Sequence, residues 1–216
     1  RQEFMASFEA AGGELFKEEH VKFCEEEPEG GEFYIAVDLA GFADVEKATT
    51  KTNRLDQTAI SVVKAGENGW WVADIIHGRW GVEKTARKIF EAVRDYEPIA
   101  VGIEKGALKN AVHPYLNDIM KSNQRFFRIE ELTHGNKRKI DRVVWALQGR
   151  FEHGKITLNK GDWNATFLDE LFQFPNKLVH DDLIDSLAYI DQLAQVAYAI
   201  DYEEEEYELT DYYAGY

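Results

Sequence analysis

The chain has 216 residues, 44% of them hydrophobic, with a formal net charge of -15 at pH 7, and it can bury one sizeable core. Its single cysteine, Cys24, excludes an intramolecular disulfide framework and favours a reducing compartment. No apolar run approaches the roughly 20 residues of a membrane span, and no signal-peptide pattern opens the chain.

The first 31 residues have the composition of a linker. The chain begins with Arg1 rather than Met, and we expect it to be a piece of a longer protein. Residues 1–32 contain ten acidic and three basic residues, in glycine-bearing stretches such as AAGGE and CEEEPEGG. The hydrophobic residues of this linker, among them Phe16, predict that it packs partly on another surface, such as an upstream domain.

The next segments predict a strand and a hairpin. Residues 33–37 form a short apolar run that ends in Asp38 and is bounded by glycines, which is typical of a buried strand. After a polar loop over 44–56, strand-like runs at 57–64 and 70–77 are joined by the turn AGENG and predict an antiparallel hairpin.

Alternating helices and strands follow the hairpin. Apolar residues at helical spacing predict a helix over 82–96, and residues 98–104 predict a second buried strand that ends in Glu104. The remaining predicted elements are a helix over 108–122, a strand at 126–130, a basic helix over 136–150 and helical segments at 163–173 and 181–199. This order predicts an α/β fold in which helices cover the faces of a mixed sheet.

The acidic charge is concentrated at the ends of the chain. Residues 201–216 hold seven acidic residues and no basic one, and we expect this tail to be disordered. Residues 33–200 are almost neutral, with 22 basic and 23 acidic residues. The overall negative charge therefore does not exclude a nucleic-acid partner.

Acidic residues stand at the ends of two predicted strands and at the start of a predicted helix. Asp38 and Glu104 end their strands, and Asp181, Asp182 and Asp185 open the helix HDDLIDSLAY. In sheets of this kind the chemistry gathers where strands end, so we expect these carboxylates to converge. Converging carboxylates repel one another when empty and fit hard divalent cations, which take oxygen ligands.

Each acidic element also has a structural alternative. Asp38 fits a strand-end turn, and Glu104 fits an ion pair with Lys105 or Lys109. The paired aspartates fit a helix cap that complements the helix dipole, although a cap needs only one acid. His180 precedes them. It either orients a water or a phosphate or is an ordinary residue at the start of a helix.

A basic segment, HGNKRKIDRVVWALQGR, precedes the helix aspartates. Its bases fit phosphate contacts beside the carboxylates, and the alternative is a solvated helix face. The candidate DNA contacts are Lys105, Lys137, Arg138, Lys139 and Arg142. No P-loop is present, because GRWGVEKT lacks the glycine that must adjoin its lysine.

Four stretches resemble the nuclease domain of the large terminase subunit of tailed bacteriophages, the motor that packages and cuts viral DNA. They are YIAVDLAG with LDQTAISVV after it, VGIEKG, HDDLIDSLAY and FMASFEAAGGELF, which resembles the segment that joins the upstream ATPase domain to the nuclease. Together they span most of residues 2–195. The resemblance implies an RNase H-like fold, with the first three strands antiparallel and the later ones parallel. It also implies endonuclease activity on double-stranded DNA with two Mg²⁺ or Mn²⁺ ions.

The resemblance assigns roles to the main acidic residues. Asp38 matches the first catalytic acid, Glu104 the second, and the Asp181–Asp182 pair the third. Within the pair we expect Asp182 to be the direct ligand and Asp181 to support it closely.

Two further positions match the family, and a third is a candidate from its place beside the acids. Asp185 matches the helix acid that related resolvases use and is a supporting candidate, and His180 is a supporting candidate because it adjoins the paired aspartates. Asp56 matches a recurrent family position, which strand capping also explains.

The implied organisation is a linker over 1–31 from an ATPase domain, a nuclease domain over 32–200 and an acidic tail over 201–216. The implied partners are double-stranded DNA, the upstream ATPase domain, the portal protein and the small terminase subunit. We expect the protein in the host cytoplasm and transiently on the procapsid, without a membrane partner. Two other functions stay open: a Holliday-junction resolvase or transposase-like nuclease, and a non-catalytic docking module for the portal or small subunit.

Overall fold

The computed structural model describes residues 15–41, 57–133, 138–176 and 179–204, without the side chains of 107–109 and 195–204. Some of the sequence-based predictions lie outside these ranges. They concern residues 1–14, the loop over 44–56 with Asp56, the base Lys137 and the tail beyond residue 204.

Within the described residues, six strands form one mixed sheet in the order β5-β4-β1-β2-β3-β6. The strands are β1 (Glu32–Asp38), β2 (Thr58–Gly66), β3 (Gly69–Gly78), β4 (Ala100–Glu104), β5 (Ile129–Leu132) and β6 (Ile156–Leu158). The β1–β2 and β2–β3 pairs are antiparallel, and the β1–β4, β4–β5 and β3–β6 pairs are parallel. The predicted mixed sheet is confirmed.

Helices cover both faces of this sheet. They are α1 (Val82–Tyr96), α2 (Ala107–Ser122), α3 (Lys139–Val143), α4 (Gly149–Glu152), α5 (Asn164–Gln173) and α6 (Asp182–Glu204), and a π-helical turn (Val144–Gln148) joins α3 to α4. One apolar core lies between the sheet and α1 with α2, and another lies between the opposite face and α3–α6. No described helix is both long enough and apolar enough to cross a bilayer.

Helix α1 shows how the local pattern determines an element. Its buried positions include Ala86, Ile89 and Val93, which the helical period of 3.6 residues places on one face. The helix ends where Glu97 adopts a left-handed backbone conformation with φ of 49°. The chain then turns directly into β4, which brings the end of that strand next to β1.

Residues 15–31 pack on the sheet domain. Phe16 is 2% exposed, and its ring centroid lies 5.9 Å from that of Phe151 and 6.2 Å from that of Phe174. The backbone N–H of Cys24 donates to the carbonyl of Leu158 at 2.9 Å. The domain boundary at residue 31 stays a prediction, and the packing of Phe16 explains its place in an otherwise polar linker.

The structure contains two features that the sequence does not predict. Strand β6 has three residues, which is too few to show a period of two, and only its pairing with β3 defines it. Helix α6 continues through Glu204, so the first four residues of the tail predicted to be disordered are helical. Glutamate favours helix, and neither glycine nor proline interrupts this stretch.

Candidate functional site

Two acidic residues lie side by side at one edge of the sheet. Strands β1 and β4 are parallel neighbours with Val37 opposite Ile103, so Asp38 and Glu104 follow at the same level. Val37 and Ile103 pack into the core with α1 and α2. Because successive side chains of a strand point to opposite faces, both acidic side chains point toward the face that α6 covers. The two carboxyl groups are hydrogen-bonded to each other.

Helix α6 begins over the same edge of the sheet. Asp182 is 7% exposed, and its Oδ2 accepts the backbone N–H of Gln57 at 2.8 Å. Gln57 directly precedes β2, which runs antiparallel to β1, so this contact lies at the Asp38 end. One turn further into the helix, the hydroxyls of Ser61 and Ser186 are hydrogen-bonded at 2.6 Å. These contacts fix the first turn of α6 beside the strand-end acids.

The acidic residues interact with one another electrostatically. Burial raises the pKa of Asp38 well above its usual value, and the nearby carboxylates of Asp185, Glu104 and Asp182 raise it further. Asp38 therefore keeps its proton to a higher pH than an ordinary aspartate, which reduces the repulsion within the cluster. An all-oxygen group of this kind fits a hard divalent cation such as Mg²⁺ or Mn²⁺.

The carboxylates converge without forming a finished metal site. Among the side chains that the structure describes, no group of three or more His, Cys, Asp or Glu residues is arranged to hold an ion. Both oxygens of Asp185 are bound by bases: Arg142 lies 2.6 Å from Oδ1 and Lys139 lies 2.5 Å from Oδ2. Asp181 is also engaged, because Lys139 Nζ lies 2.7 Å from its Oδ1.

Two of the candidate DNA contacts therefore bind the acidic residues. Arg142 is 8% exposed and its guanidinium lies 4.5 Å from the ring centroid of Tyr189. The sequence contains a signal for this pairing. Lys139 and Arg142 stand one helical turn apart, as Asp181 and Asp185 do, so two helices can present matching charges to each other. A DNA contact by either base stays a prediction.

The other candidate bases are exposed. The Arg138 side chain is 61% exposed and pairs with Asp141 at 3.2 Å, and the Lys105 side chain is 66% exposed with Glu131 at 3.9 Å. His180 lies beside the acids, with its Nδ1 at 3.7 Å from Asp182 Oδ2. Arg138 and Lys105 are therefore solvent-exposed, whereas His180 is half-buried beside Asp182.

Glu170 supports the site and is not among the residues predicted from the sequence. It is 3% exposed on α5, and its Oε2 accepts the backbone N–H groups of Leu183 at 2.9 Å and Ile184 at 3.3 Å. The carboxyl group therefore caps the start of α6 directly after Asp182. A sequence signal exists, because Glu170 occupies an apolar position of α5 at helical spacing from the buried Phe167.

We expect the Glu170→Gln variant to remove part of the pH dependence of stability. Burial raises the pKa of Glu170 to about 8, and the nearby Asp182 and Asp181 also raise it. The folded protein therefore keeps a proton that the unfolded chain releases from about pH 4.5 upward, so the Glu170 contribution to stability falls between about pH 4.5 and 8. Glutamine mimics the protonated form at every pH.

Urea unfolding in EDTA across this range measures the difference. The free energy of unfolding of Glu170→Gln should exceed that of the wild type by a margin that grows, to roughly a few kcal/mol, as the pH rises toward 8. The other titrating groups are the same in both proteins, so their contributions cancel in the difference between the two free energies of unfolding. Parallel curves for the two proteins would contradict a protonated Glu170.

The fold and the edge cluster define a class of protein, the RNase H-like nuclease domains, in which acidic residues from strand ends and a helix meet at one edge of a mixed sheet. The chain belongs to the family described as Terminase RNaseH-like domain, whose model matches residues 35–191. The matched range contains every acidic residue of the cluster. No curated protein matches the chain.

Solved structures of terminase nucleases share this fold. The human cytomegalovirus terminase nuclease domain, Mn-soaked and inhibitor-bound, is 15% identical with a TM-score of 0.60, over 86% of this chain and 97% of that chain. The large terminase nuclease of thermophilic phage G20c with bound cobalt is 15% identical with a TM-score of 0.59, over 82% of this chain and 96% of that chain.

A longer protein shows the same likeness. The large terminase of another thermophilic bacteriophage is 10% identical with a TM-score of 0.55, and the match covers 82% of this chain but 43% of that chain. At such identities the likeness establishes the fold alone.

Proposed function

We propose that the chain is the metal-dependent endonuclease domain of a large terminase subunit and cuts double-stranded DNA during genome packaging. The observation that carries the proposal is the acidic cluster itself. Asp38 and Glu104 share a hydrogen bond at the sheet edge, and Asp182 and Asp185 raise the pKa of Asp38 from the start of α6. The Mn-soaked and cobalt-bound terminase nucleases of the same fold support the use of divalent ions.

In this proposal two Mg²⁺ or Mn²⁺ ions bind at the cluster. Asp38, Glu104 and Asp182 would hold the ions, and Asp181 would support Asp182. When bound, the ions activate water and neutralise charge at the scissile phosphate. Glu170 and Gln57 hold the start of α6, so that Asp182 stays beside the strand-end acids.

Asp38 must be ionised to serve as a ligand, and its raised pKa opposes ionisation unless a cation offsets the repulsion of the neighbouring carboxylates. Binding of metal should therefore release protons to solvent. This release accompanies loading of the site and is independent of DNA.

Basic residues near the acids in the sequence are the proposed contacts to the DNA backbone. Arg138 and Lys105 are exposed, Lys137 is proposed from the sequence alone, and such phosphate contacts carry little sequence information. The rest of the proposal concerns the longer protein, with an ATPase domain before this chain and contacts to the portal and the small terminase subunit.

Cleavage of supercoiled plasmid by the chain tests the proposed activity. Nicked and linear products should appear with Mn²⁺ or Mg²⁺ and disappear with EDTA. A synthetic four-way junction offered in competition with linear duplex separates the alternatives, because preferential cutting of the junction would indicate a resolvase-like nuclease. Absence of both metal binding and cutting in the folded protein would contradict the proposal.

We expect Arg138→Ala to weaken DNA binding about equally for all sequences. Loss of one phosphate contact should reduce the slope of log K against log salt by about one. Arg87→Ala is the matched control, because Arg87 lies on α1 at the opposite face, is 65% exposed and pairs with Glu83. Fluorescence anisotropy over a salt series, in Ca²⁺ to suppress cutting, measures both slopes. An unchanged slope for Arg138→Ala would remove this residue from the DNA contacts.

A further inference from the structure

Lys139 lies between two carboxylates at the start of α6. It is the first residue of α3, and its Nζ is 2.7 Å from Asp181 Oδ1 and 2.5 Å from Asp185 Oδ2. These aspartates stand one helical turn apart, and the ammonium group bridges them. Burial opposes the charge of Lys139, but Asp185 and Asp181 outweigh it, so the pKa of the ammonium is raised. Lys139 is therefore charged throughout the neutral range.

The two bases that bind Asp185 differ in their surroundings. The side chain of Arg142 is 8% exposed and is held by both Asp185 and the ring of Tyr189. The side chain of Lys139 is 42% exposed, so its ammonium can move into solvent, and the buried Asp185 carboxylate then keeps Arg142 as its partner. Arg142 is thus a fixed part of the fold, whereas Lys139 can exchange with another cation.

A divalent cation would compete with Lys139 for the same oxygens. Hard cations such as Mn²⁺ and Mg²⁺ bind carboxylate oxygens, and an ammonium is a strongly hydrated point charge that gives up such contacts readily. Asp185 is close enough to Asp38 to raise its pKa electrostatically, so the oxygens that Lys139 contacts belong to the same cluster as the strand-end acids. In this arrangement a tethered cation already satisfies part of the cluster before any ion arrives.

We propose that Lys139 is a built-in cation of the metal site, which holds Asp181 and Asp185 in the metal-free protein and is displaced when divalent ions bind. This inference rests on the proposed function. It gives Lys139 a role in setting the metal affinity rather than a primary role in holding DNA. It also gives the metal-free protein a way to keep its carboxylates together without an ion.

Calorimetric titration with Mn²⁺ at fixed ionic strength and without DNA tests the proposal. Removal of the competing charge in Lys139→Met should tighten Mn²⁺ binding roughly tenfold, the scale of a partly exposed ion pair. Lys139→Arg keeps the charge and should bind Mn²⁺ within a few-fold of the wild type. Lys160→Met is the control for net charge, because Lys160 pairs with Glu25 on the linker and should leave the affinity unchanged.

A second measurement separates displacement from a structural role. In EDTA, Lys139→Met should melt below the wild type, because Asp181 and Asp185 lose their partner. On addition of Mn²⁺ its melting temperature should rise by more than that of the wild type, because ligand binding to the folded state stabilises it. Lys139→Gln serves in the same way if the methionine variant folds poorly.

The outcomes are distinct. If the wild type binds Mn²⁺ and Lys139→Met binds it equally well or more weakly, the proposed role of Lys139 is overturned and the proposed nuclease stays intact. Wild type that binds no divalent ion would overturn the proposed nuclease and this inference with it.

Discussion

Replacement of Asp38 by asparagine should abolish DNA cleavage while leaving the fold intact. Asp38 lies at the centre of the acidic cluster, where burial and the carboxylates of Asp185, Glu104 and Asp182 raise its pKa. Even an outer partner of a metal ligand contributes roughly 10–100-fold to metal affinity or activity, so loss of this ligand should reduce the cleavage rate by at least about a hundredfold. Plasmid cleavage with Mn²⁺ measures the loss.

The same substitution should not destabilise the metal-free protein. Asparagine is neutral at every pH, so the cost of keeping an ionisable carboxyl group buried among other carboxylates is removed, and the melting temperature in EDTA should equal or exceed that of the wild type. The rise in melting temperature on addition of Mn²⁺ should be lost. A stable protein without metal response and without cleavage is the signature of a lost ligand rather than of a lost fold.

Asp74→Asn is the matched control for Asp38→Asn. Asp74 is also a strand acid with a raised pKa, but the cause is burial, and neighbouring groups lower that pKa rather than raise it. It lies on β3, two strands away from β1 in the sheet. Its replacement should leave cleavage and metal response unchanged. If the Asp38→Asn variant cuts DNA as fast as the Asp74→Asn variant does, Asp38 is not a catalytic residue.

The Arg142→Met substitution should cause a large loss of stability. Arg142 and Asp185 form a buried ion pair at 2.6 Å, with side chains 8% and 4% exposed. Removal of the base leaves the Asp185 carboxylate beside Asp38 with only Lys139 to offset it. Breaking a buried pair from one side costs about 3–5 kcal/mol, and we expect a loss of this order in the free energy of unfolding.

A double substitution distinguishes the charge from the packing. In Arg142→Met with Asp185→Asn the uncompensated charge is gone, so most of the lost stability should return. Arg150→Met provides the comparison, because Arg150 pairs with Asp191 at 2.7 Å but is 32% exposed, and we expect a loss of about 1 kcal/mol. Equal losses for Arg142→Met and Arg150→Met in urea unfolding would show that burial does not set the energy of the Arg142 pair.

The sequence predicts the parts of the site that depend on local pattern. A short apolar run that ends in a carboxylate identifies β1 with Asp38 and β4 with Glu104, and HDDLIDSLAY identifies the start of α6. Each is a segment of fewer than about twelve residues, in which periods of 2 and 3.6 are visible without knowledge of neighbours. The resemblance to terminase nucleases rests on the same segments.

The contacts that hold the site together were not predicted. Glu170 is one acid in an ordinary amphipathic helix until the fold brings it to the first turn of α6. Lys139 and Arg142 suggest DNA contacts as long as only their charge is known, and the structure places them on Asp181 and Asp185. Strand β6 has no pattern of its own and exists through its pairing with β3.

By itself, the sequence determined the strands and helices that have a clear period and the carboxylates that stand at their ends, because side-chain direction in an element follows from local backbone geometry. Only the tertiary structure decided which of these ends meet. Gln57 reaches Asp182, and Ser61 reaches Ser186, across 125 residues of chain. Such contacts form because the strand order places β1 between β4 and β2 and buries α6 across them. The sequence therefore shows the charge of each acid, whereas the pKa of that acid and its partners follow from packing between distant segments.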